Sequence, residues 1–250
     1  MTHSDHTTHF GFQSVPLNEK EKKVGEVFHS VAKNYDLMND LMSAGVHRLW
    51  KRWAVEKSLV RPGQCVLDLA GGSGDLTRLL CDRVGVEGHV ILADINASML
   101  ACGRERLMNE GRHDNLDYVL ANAEMLPFAN NYFHCIMMGF GLRNVTDKLA
   151  ALRSMYRVCR AGGKVMILEF STPVIPGLKP VYDWYSFHVI PKLGKAFAGD
   201  SASYQYLAES IRVHPPQEAL AELILQAGFE DCHYDNLSGG IVALHIAYKY

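Results

Sequence analysis

The sequence predicts an α/β fold on a doubly wound, mostly parallel sheet of seven strands, and three observations lead there. Between residues 64 and 170, short runs that are almost wholly apolar alternate with helical patterns, the texture of strands covered on both faces. A glycine-rich turn, Gly71-Gly72-Ser73-Gly74, leaves the first such run and opens a helix, as at the ligand edge of such sheets. The composition supplies a sizeable core, with 250 residues of which 48% are apolar and 21% charged.

The first 18 residues are polar and read as a flexible arm. His3, His6 and His9 recur evenly there, but no cysteine or carboxylate cluster accompanies them, which favours a disordered arm over a metal tract. From Glu19, Val24, Val27, Phe28 and Val31 mark one face of an amphipathic helix. A second helix is expected from about Gly45 to Leu59, stopped by Arg61-Pro62-Gly63, so that residues 19–62 form an N-terminal helical cap. Strands are expected at Cys65 to Leu69, His89 to Asp94, Tyr118 to Ala121, Cys135 to Met138 and Lys164 to Glu169. Between them lie helices from Leu76 to Leu80, Ala97 to Met108 and about Asp147 to Cys159, the last expected to stop at Ala161-Gly162-Gly163.

Residues 171–215 break the rhythm. Pro173, Pro176, Pro180 and Pro191 fall among Trp184, Tyr185, Phe187, Val189 and Ile190. The stretch is too apolar for a linker and too rich in proline for one regular element, and is expected as an insertion capping the ligand edge after strand five. A helix from Gln217 to Ala227 follows, then two closing strands, Phe229 to Asn236 and Ile241 to Tyr248, joined by Ser238-Gly239-Gly240. Residues 19–250 thus read as a single domain.

Several classes fall on composition. Twenty-five Lys and Arg against 27 Asp and Glu give a net charge of −2, so no global field draws the chain to nucleic acid or anionic lipid. No apolar run approaches the roughly 18 residues of a membrane span, and no targeting signal opens the chain. Six cysteines never form Cys-x-x-Cys and read as reduced thiols of a cytoplasmic protein, with neither disulfide nor metal site.

The glycine turn carries the chemistry. A nicotinamide dinucleotide site would need a small third residue in Gly-x-Gly-x-x-Gly, where this chain has Thr77. Asp75 stands at the helix start, where a pyrophosphate would lie, and Asp68 precedes the glycines. A cationic, phosphate-free nucleoside suits this better, and S-adenosylmethionine is such a ligand. Asp94, ending the second strand, is placed to accept both ribose hydroxyls, and Ala121-Asn122-Ala123-Glu124 after strand three offers an amide and backbone donors for adenine.

Beyond these signals the chain resembles the ubiquinone/menaquinone-biosynthesis C-methyltransferases, class I S-adenosylmethionine enzymes with a Rossmann-like sheet. The resemblance runs from about Glu19 to Tyr250. It is carried by Asn34-Tyr35-Asp36-Leu37-Met38-Asn39-Asp40, His47-Arg48-Leu49-Trp50-Lys51, Leu67-Asp68-Leu69-Ala70-Gly71-Gly72, Ala93-Asp94-Ile95-Asn96, Asn122-Ala123-Glu124, Phe140-Gly141-Leu142-Arg143-Asn144-Val145-Thr146-Asp147 and Tyr206-Leu207-Ala208-Glu209-Ser210-Ile211. It implies cofactor contacts at Ser73, Asp94, Asn122, Ala123 and Gly139, with Asp68, Gly72 and Gly74 completing the cofactor set. Ser73 stands where threonine is usual, Gly139 where serine is frequent, and His134 where aspartate is usual.

The implied reaction is C-methylation of a polyprenylated benzoquinol or naphthoquinol, the alternative being O- or N-methylation of another lipophilic small molecule. Implied partners are the quinol, a transient membrane surface at its inner face and other quinone-biosynthesis enzymes, with pairing of the chain to a second copy left open. A ring carbon is a poor nucleophile unless its neighbouring hydroxyl ionises, so the site must take or share that proton. Arg143, just after strand four, is the candidate stabiliser of a developing phenolate, against a plain salt bridge at a helix entry. Asn144 is a substrate contact or a helix cap; Tyr35 is a catalytic candidate on the segment covering the cofactor. Trp50 and Trp53 read as core. The apolar residues from Val174 through Trp184 and Phe187 to Phe197 are expected to hold the substrate's tail, flanked by Lys179, Lys192 and Lys195.

Overall fold

The structure, a computed structural model, describes residues 7–31, 39–40, 43, 45–198 and 200–250, without the side chains of residues 18, 30, 31 and 196–198. Seven strands form the central sheet: β3 (Cys65–Leu69), β4 (His89–Asp94), β5 (Leu116–Leu120), β6 (Phe133–Gly139), β7 (Cys159–Phe170), β8 (Glu230–Leu237) and β9 (Val242–Lys249). Their order is β5-β4-β3-β6-β7-β9-β8. The pairs from β5 through β7 are parallel, whereas β9 runs antiparallel to both β7 and β8. The strand order reverses between β3 and β6, so a crevice opens outside their carboxyl ends.

Both sheet faces are buried, which is why the central strands read as unbroken apolar runs. Val66, Val90, Leu92, Cys135 and Met137 face one side, packed with Trp50, Ala54, Leu76 and Leu80. Leu67, Leu69, Ile91, Ala93, Ile136 and Met138 face the other, against Leu152, Met155, Leu220 and Ile224. The flanking helices are α1 (Leu17–Val31), α2 (His47–Ser58), α3 (Asp75–Val84), α4 (Ala97–Asn109), α5 (Lys148–Val158) and α9 (Gln217–Gln226). Side-chain caps start two of them: Asn96 Oδ1 accepts the N–H groups of Ser98 and Met99, and Asp147 Oδ1 that of Ala150. α2 ends at Leu59 in the left-handed region (φ +50°). All six cysteines are free thiols.

Three expectations need correction. Residues 7–16, read as arm, form an antiparallel hairpin of β1 (Thr7–Phe10) and β2 (Gln13–Pro16). What orders it is distant in sequence: the Phe10 ring stacks on Tyr206, with centroids 4.2 Å apart. Residues 1–6 lie outside the described part. Secondly, α5 does not run to the glycines. It ends at Val158, and Gly162 (φ +74°) lies in an irregularity of β7, where Phe133 pairs with Cys159 but Cys135 pairs with Lys164.

Thirdly, residues 171–215 are largely helical despite their prolines. They hold α6 (Leu178–Trp184), a widened turn at Tyr185–Val189, α7 (Ile190–Ala198) and α8 (Ser201–Val213). Pro180 is the third residue of α6 and Pro191 the second of α7. The first turn of a helix needs no N–H from them, and the widened turn falls just before Pro191. No helix among the described residues is long and apolar enough to cross a membrane.

Candidate active site

At the crevice between β3 and β6 lies a cleft of about 530 Å³, roofed by α1 through Glu21, Lys22, Val24, Gly25 and Phe28. Its floor comes from the strand ends, including Leu69, Ala70, Gly72, Asp94, Met138, Phe140 and Gly141. Two strand ends curl into the left-handed region at residues other than glycine, Ala70 (φ +56°) and Phe140 (φ +60°). Gly141 lets these turns touch, since a Cβ there would fall 2.6 Å from Ala70 Cβ.

Asp94 is the polar centre of the floor. Its Oδ2 accepts the Gly72 N–H at 3.0 Å and its Oδ1 the Asn96 N–H at 2.8 Å. Each oxygen keeps acceptor capacity for one further donor, and the residue lines the cleft while 7% exposed. Burial raises its pKa, opposed by the backbone N–H groups of Asn96 and Gly72. Asn122 and Ala123 line the opposite wall; Asn122 Oδ1 accepts the Glu124 N–H at 2.9 Å. Glu124 Oε1 in turn accepts the N–H groups of Thr146 (3.1 Å) and Asp147 (2.9 Å), tying the segment after β5 to that after β6.

Asp68 lies beneath the glycine turn, fully buried and outside the cleft lining. Thr77 Oγ1 donates to its Oδ2 at 2.5 Å, while Oδ1 has no partner. Burial pushes its carboxyl up to about 7, against the Thr77 hydrogen bond and the charge of Lys51. Thr77 therefore braces this turn. Ser73 is buried and, with Gly74 and Gly139, lies just behind the lining. A Cβ on Gly139 would come within 2.7 Å of Leu76 Cδ1, and one on Gly74 within 2.6 Å of Leu107 Cδ1.

The start of α3 is already taken by a carboxylate. Asp75 pairs with Lys51 Nζ (2.7 Å) and Arg106 Nη1 (2.9 Å). Burial works against its charge, but Lys51 and Arg106 hold its pKa down to about 2. A pyrophosphate has no place there, whereas Asp94 with its spare acceptor capacity suits two ribose hydroxyls. The residues fit S-adenosylmethionine better than a dinucleotide.

The catalytic candidates part company. Asn144 lines the cleft and is no helix cap, that role falling to Asp147; its Oδ1 accepts the Tyr206 hydroxyl at 3.0 Å. Arg143, 4% exposed, lies behind the lining. Its Nη1 donates to Glu169 Oε1 at 2.8 Å and to the Phe140 carbonyl, and its N–H to Glu169 Oε2 at 3.2 Å. The guanidinium stands 5.5 Å from the Phe170 ring centre, and its Nε has no partner. Tyr35 lies outside the described residues. Trp50 is core, as expected, packed on Phe140 and Phe170. His134, half-buried at the start of β6, accepts the Cys65 N–H and so joins β6 to β3.

Four contributors escape sequence reasoning. Glu169 holds Arg143 from another strand. Lys20, on α1 and 3% exposed, donates to the Val145 carbonyl at 3.1 Å beside Lys148, which donates to the same oxygen. Burial and Lys148 lower Lys20 to about 8, against the pull of Glu124. Gly103 on α4 lets the helix approach the glycine turn, for a Cβ would fall 2.4 Å from the Gly72 carbonyl oxygen. Tyr206, the fourth, links the β1–β2 hairpin to Asn144. Only Tyr206 lay within a quoted motif.

The comparisons with known proteins agree on one family and one fold. The chain is 73% identical over 250 residues to the ubiquinone/menaquinone biosynthesis C-methyltransferase UbiE of Legionella pneumophila (strain Lens), covering 100% of both chains. It is 62% identical over 243 residues to the protein of that name from Stenotrophomonas maltophilia (strain R551-3), covering 97% of this chain and 96% of the relative. Among solved structures, a SAM dependent methyltransferase from Aquifex aeolicus superposes with a TM-score of 0.62 at 16% identity, covering 84% and 95% of the two chains, which shows the shared fold. The model of the ubiE/COQ5 methyltransferase family matches residues 17–249, and the chain belongs to that family.

Proposed function

We propose that this chain transfers the methyl group of S-adenosylmethionine to a ring carbon of a polyprenyl quinol, a benzoquinol or a naphthoquinol, in ubiquinone or menaquinone biosynthesis. The observation that carries the cofactor reading is Asp94, each of whose oxygens holds one backbone N–H at the floor of an apolar cleft. The quinol reading is supported by the printed names of full-length relatives at 73% and 62% identity. The enzyme works in the cytoplasm and meets its lipophilic substrate by peripheral contact at the inner face of the membrane.

When bound, the cofactor supplies a methyl group on a sulfonium, the C–S bond electrons staying with sulfur as the methyl moves to carbon. The chain's part is alignment, exclusion of water and management of two protons, the quinol hydroxyl's, shed before transfer, and the ring carbon's, shed after it as the ring regains aromaticity. Asp94 and Asn122 anchor the nucleoside end, with Leu69, Met99 and Ala123 as apolar surroundings. At the end of β6, Arg143, Lys148 and Lys20 stand among three carboxylates, Glu124, Asp147 and Glu169. Lys20 and Lys148 share the Val145 carbonyl, and Val145 itself lines the cleft. The two lysine ammonium groups held at this cleft-lining residue favour an ionised quinol hydroxyl, which pushes electron density onto the ring carbon. Arg143 acts here through the carbonyl of Phe140 and through its field, held in place by Glu169.

The test uses two reduced short-tail quinols, one with an open ring position and one with that position already methylated. With labelled methyl donor, label enters only the first. Equal labelling of both would show transfer to oxygen and overturn the reading.

A further inference from the structure

The segment between β7 and α8 carries exposed apolar side chains that no described residue covers. Val174, Ile175, Val181 and Trp184 are 56, 54, 63 and 60% exposed. None of them lines the cleft, so the expected tail groove is not formed by these side chains. The Trp184 ring lies over His188, with centroids 6.2 Å apart and planes at 13°, instead of entering the core. Phe12, at the tip of the β1–β2 hairpin and 59% exposed, extends the patch by stacking on Phe187 at 6.0 Å. Scattered apolar side chains are ordinary at a surface; neighbouring ones of this size mark an interaction site.

The charge around the patch names its partner. Lys179, Lys192 and Lys195 are exposed on the same segment. Among residues 171–198 the sole carboxylate is Asp183, and it is ion-paired with Arg212. On the elements packed beside it, Asp200 caps α8 through Ser203, and Glu209 accepts the Phe12 N–H and the Gln205 amide. A positive, apolar face on a chain of net charge −2 matches an anionic lipid surface. A second copy docked two-fold on the same face would set lysines against lysines. The patch is also connected to the cleft. Phe12 and Phe10 share the hairpin, Phe10 stacks on Tyr206, and Tyr206 donates to Asn144 in the cleft wall.

We propose that α6, the widened turn after it and the hairpin tip dock this protein on an anionic bilayer. Trp184 and Val181 enter the headgroup level while Lys179, Lys192 and Lys195 meet lipid phosphates. The inference rests on the quinol reading for its purpose, since a bilayer-dissolved substrate must reach the cleft, but not for its evidence.

The experiment is co-sedimentation of the full chain with vesicles of phosphatidylcholine alone or mixed with phosphatidylglycerol. Wild type binds the mixed vesicles and not the neutral ones, and added salt weakens binding. Val181→Ser/Trp184→Ser weakens it more than tenfold, and each Lys→Gln change costs roughly fivefold. Calorimetric affinity for S-adenosylmethionine and turnover of a tail-less quinol stay at wild-type values in these variants. Undiminished vesicle binding by the double variant overturns the docking surface. So does a concentration-dependent dimer that the double variant abolishes, which would assign the patch to a second copy. Vesicle binding as described with no methylation of any quinol would leave the docking surface standing and sink the substrate reading alone.

Discussion

Replacing Arg143 by Met and Glu169 by Gln, singly and together, separates what this buried pair does for the fold from what it does for the chemistry. Both residues are nearly inaccessible, 4% and 1% exposed, and joined by two hydrogen bonds of 2.8 and 3.2 Å. Removing one partner strands the other charge in the interior, at a cost of about 3–5 kcal/mol. In a chain of this length that lowers Tm by roughly 6–20 °C. The double variant removes both charges, and the glutamine oxygen still serves one of the two backbone N–H groups Glu169 now holds, those of Arg143 and Phe170. It should cost less than the sum of the single changes by about 2–3 kcal/mol. Denaturant unfolding measures the stabilities and single-turnover methyl transfer the chemistry. Stability partly returns in the double variant and the methyl-transfer rate does not, because the cation behind Phe140 is gone. Additive stability losses would mean the pair is not coupled as described. A rate restored along with stability would reduce Arg143 to a structural residue.

Asp94→Ala should weaken S-adenosylmethionine by at least a hundredfold in calorimetry, two charge-assisted hydrogen bonds being worth about 1.5–3 kcal/mol each; unchanged affinity in a folded protein would remove Asp94 from the site. Gly103→Ala sets a Cβ 2.4 Å from the Gly72 carbonyl oxygen, so α4 must retreat from the turn. A loss of about 1–3 kcal/mol in unfolding experiments and weaker cofactor binding are expected, and wild-type values for both would show that the helix has room. Burial lowers the Lys20 pKa from the ordinary lysine value of 10.5 to about 8, so the unfolded chain binds more protons between those values and this residue makes stability rise with pH across that window. Lys20→Met should flatten that rise; an identical stability profile from pH 8 to 10.5 in both proteins would contradict its burial as a cation.

The sheet was legible because its central strands are covered on both faces, which leaves runs such as His89 to Asp94 with no polar alternation to blur their ends. The glycine turn and Asp94 were legible for a related reason, since ligand-edge residues follow directly on those strands. Helices α6 and α7 were not. Their prolines fall where a helix start or a widened turn tolerates them, and proline content alone does not reveal its position within a turn. The β1–β2 hairpin depends on a ring contact between Phe10 and Tyr206, which no local pattern of the first 16 residues contains. Arg143 was visible as a cation at the right edge, but its burial is set by Glu169, 26 residues away on β7. Lys20 shows the same limit, a lysine of an amphipathic helix whose burial is decided by Val145 and Lys148.

The position that the methyl group reaches on the quinol decides between carbon and oxygen transfer most directly. The purified protein, given a ¹³C-methyl donor and a reduced demethyl polyprenyl quinol, yields one product whose carbon spectrum identifies the enriched atom. Enrichment in a methyl bonded to the ring carbon, absent when Asp94→Ala is assayed at the same cofactor concentration, is the predicted result. Enrichment in a methoxy carbon, or ring methylation that survives Asp94→Ala undiminished, would contradict it.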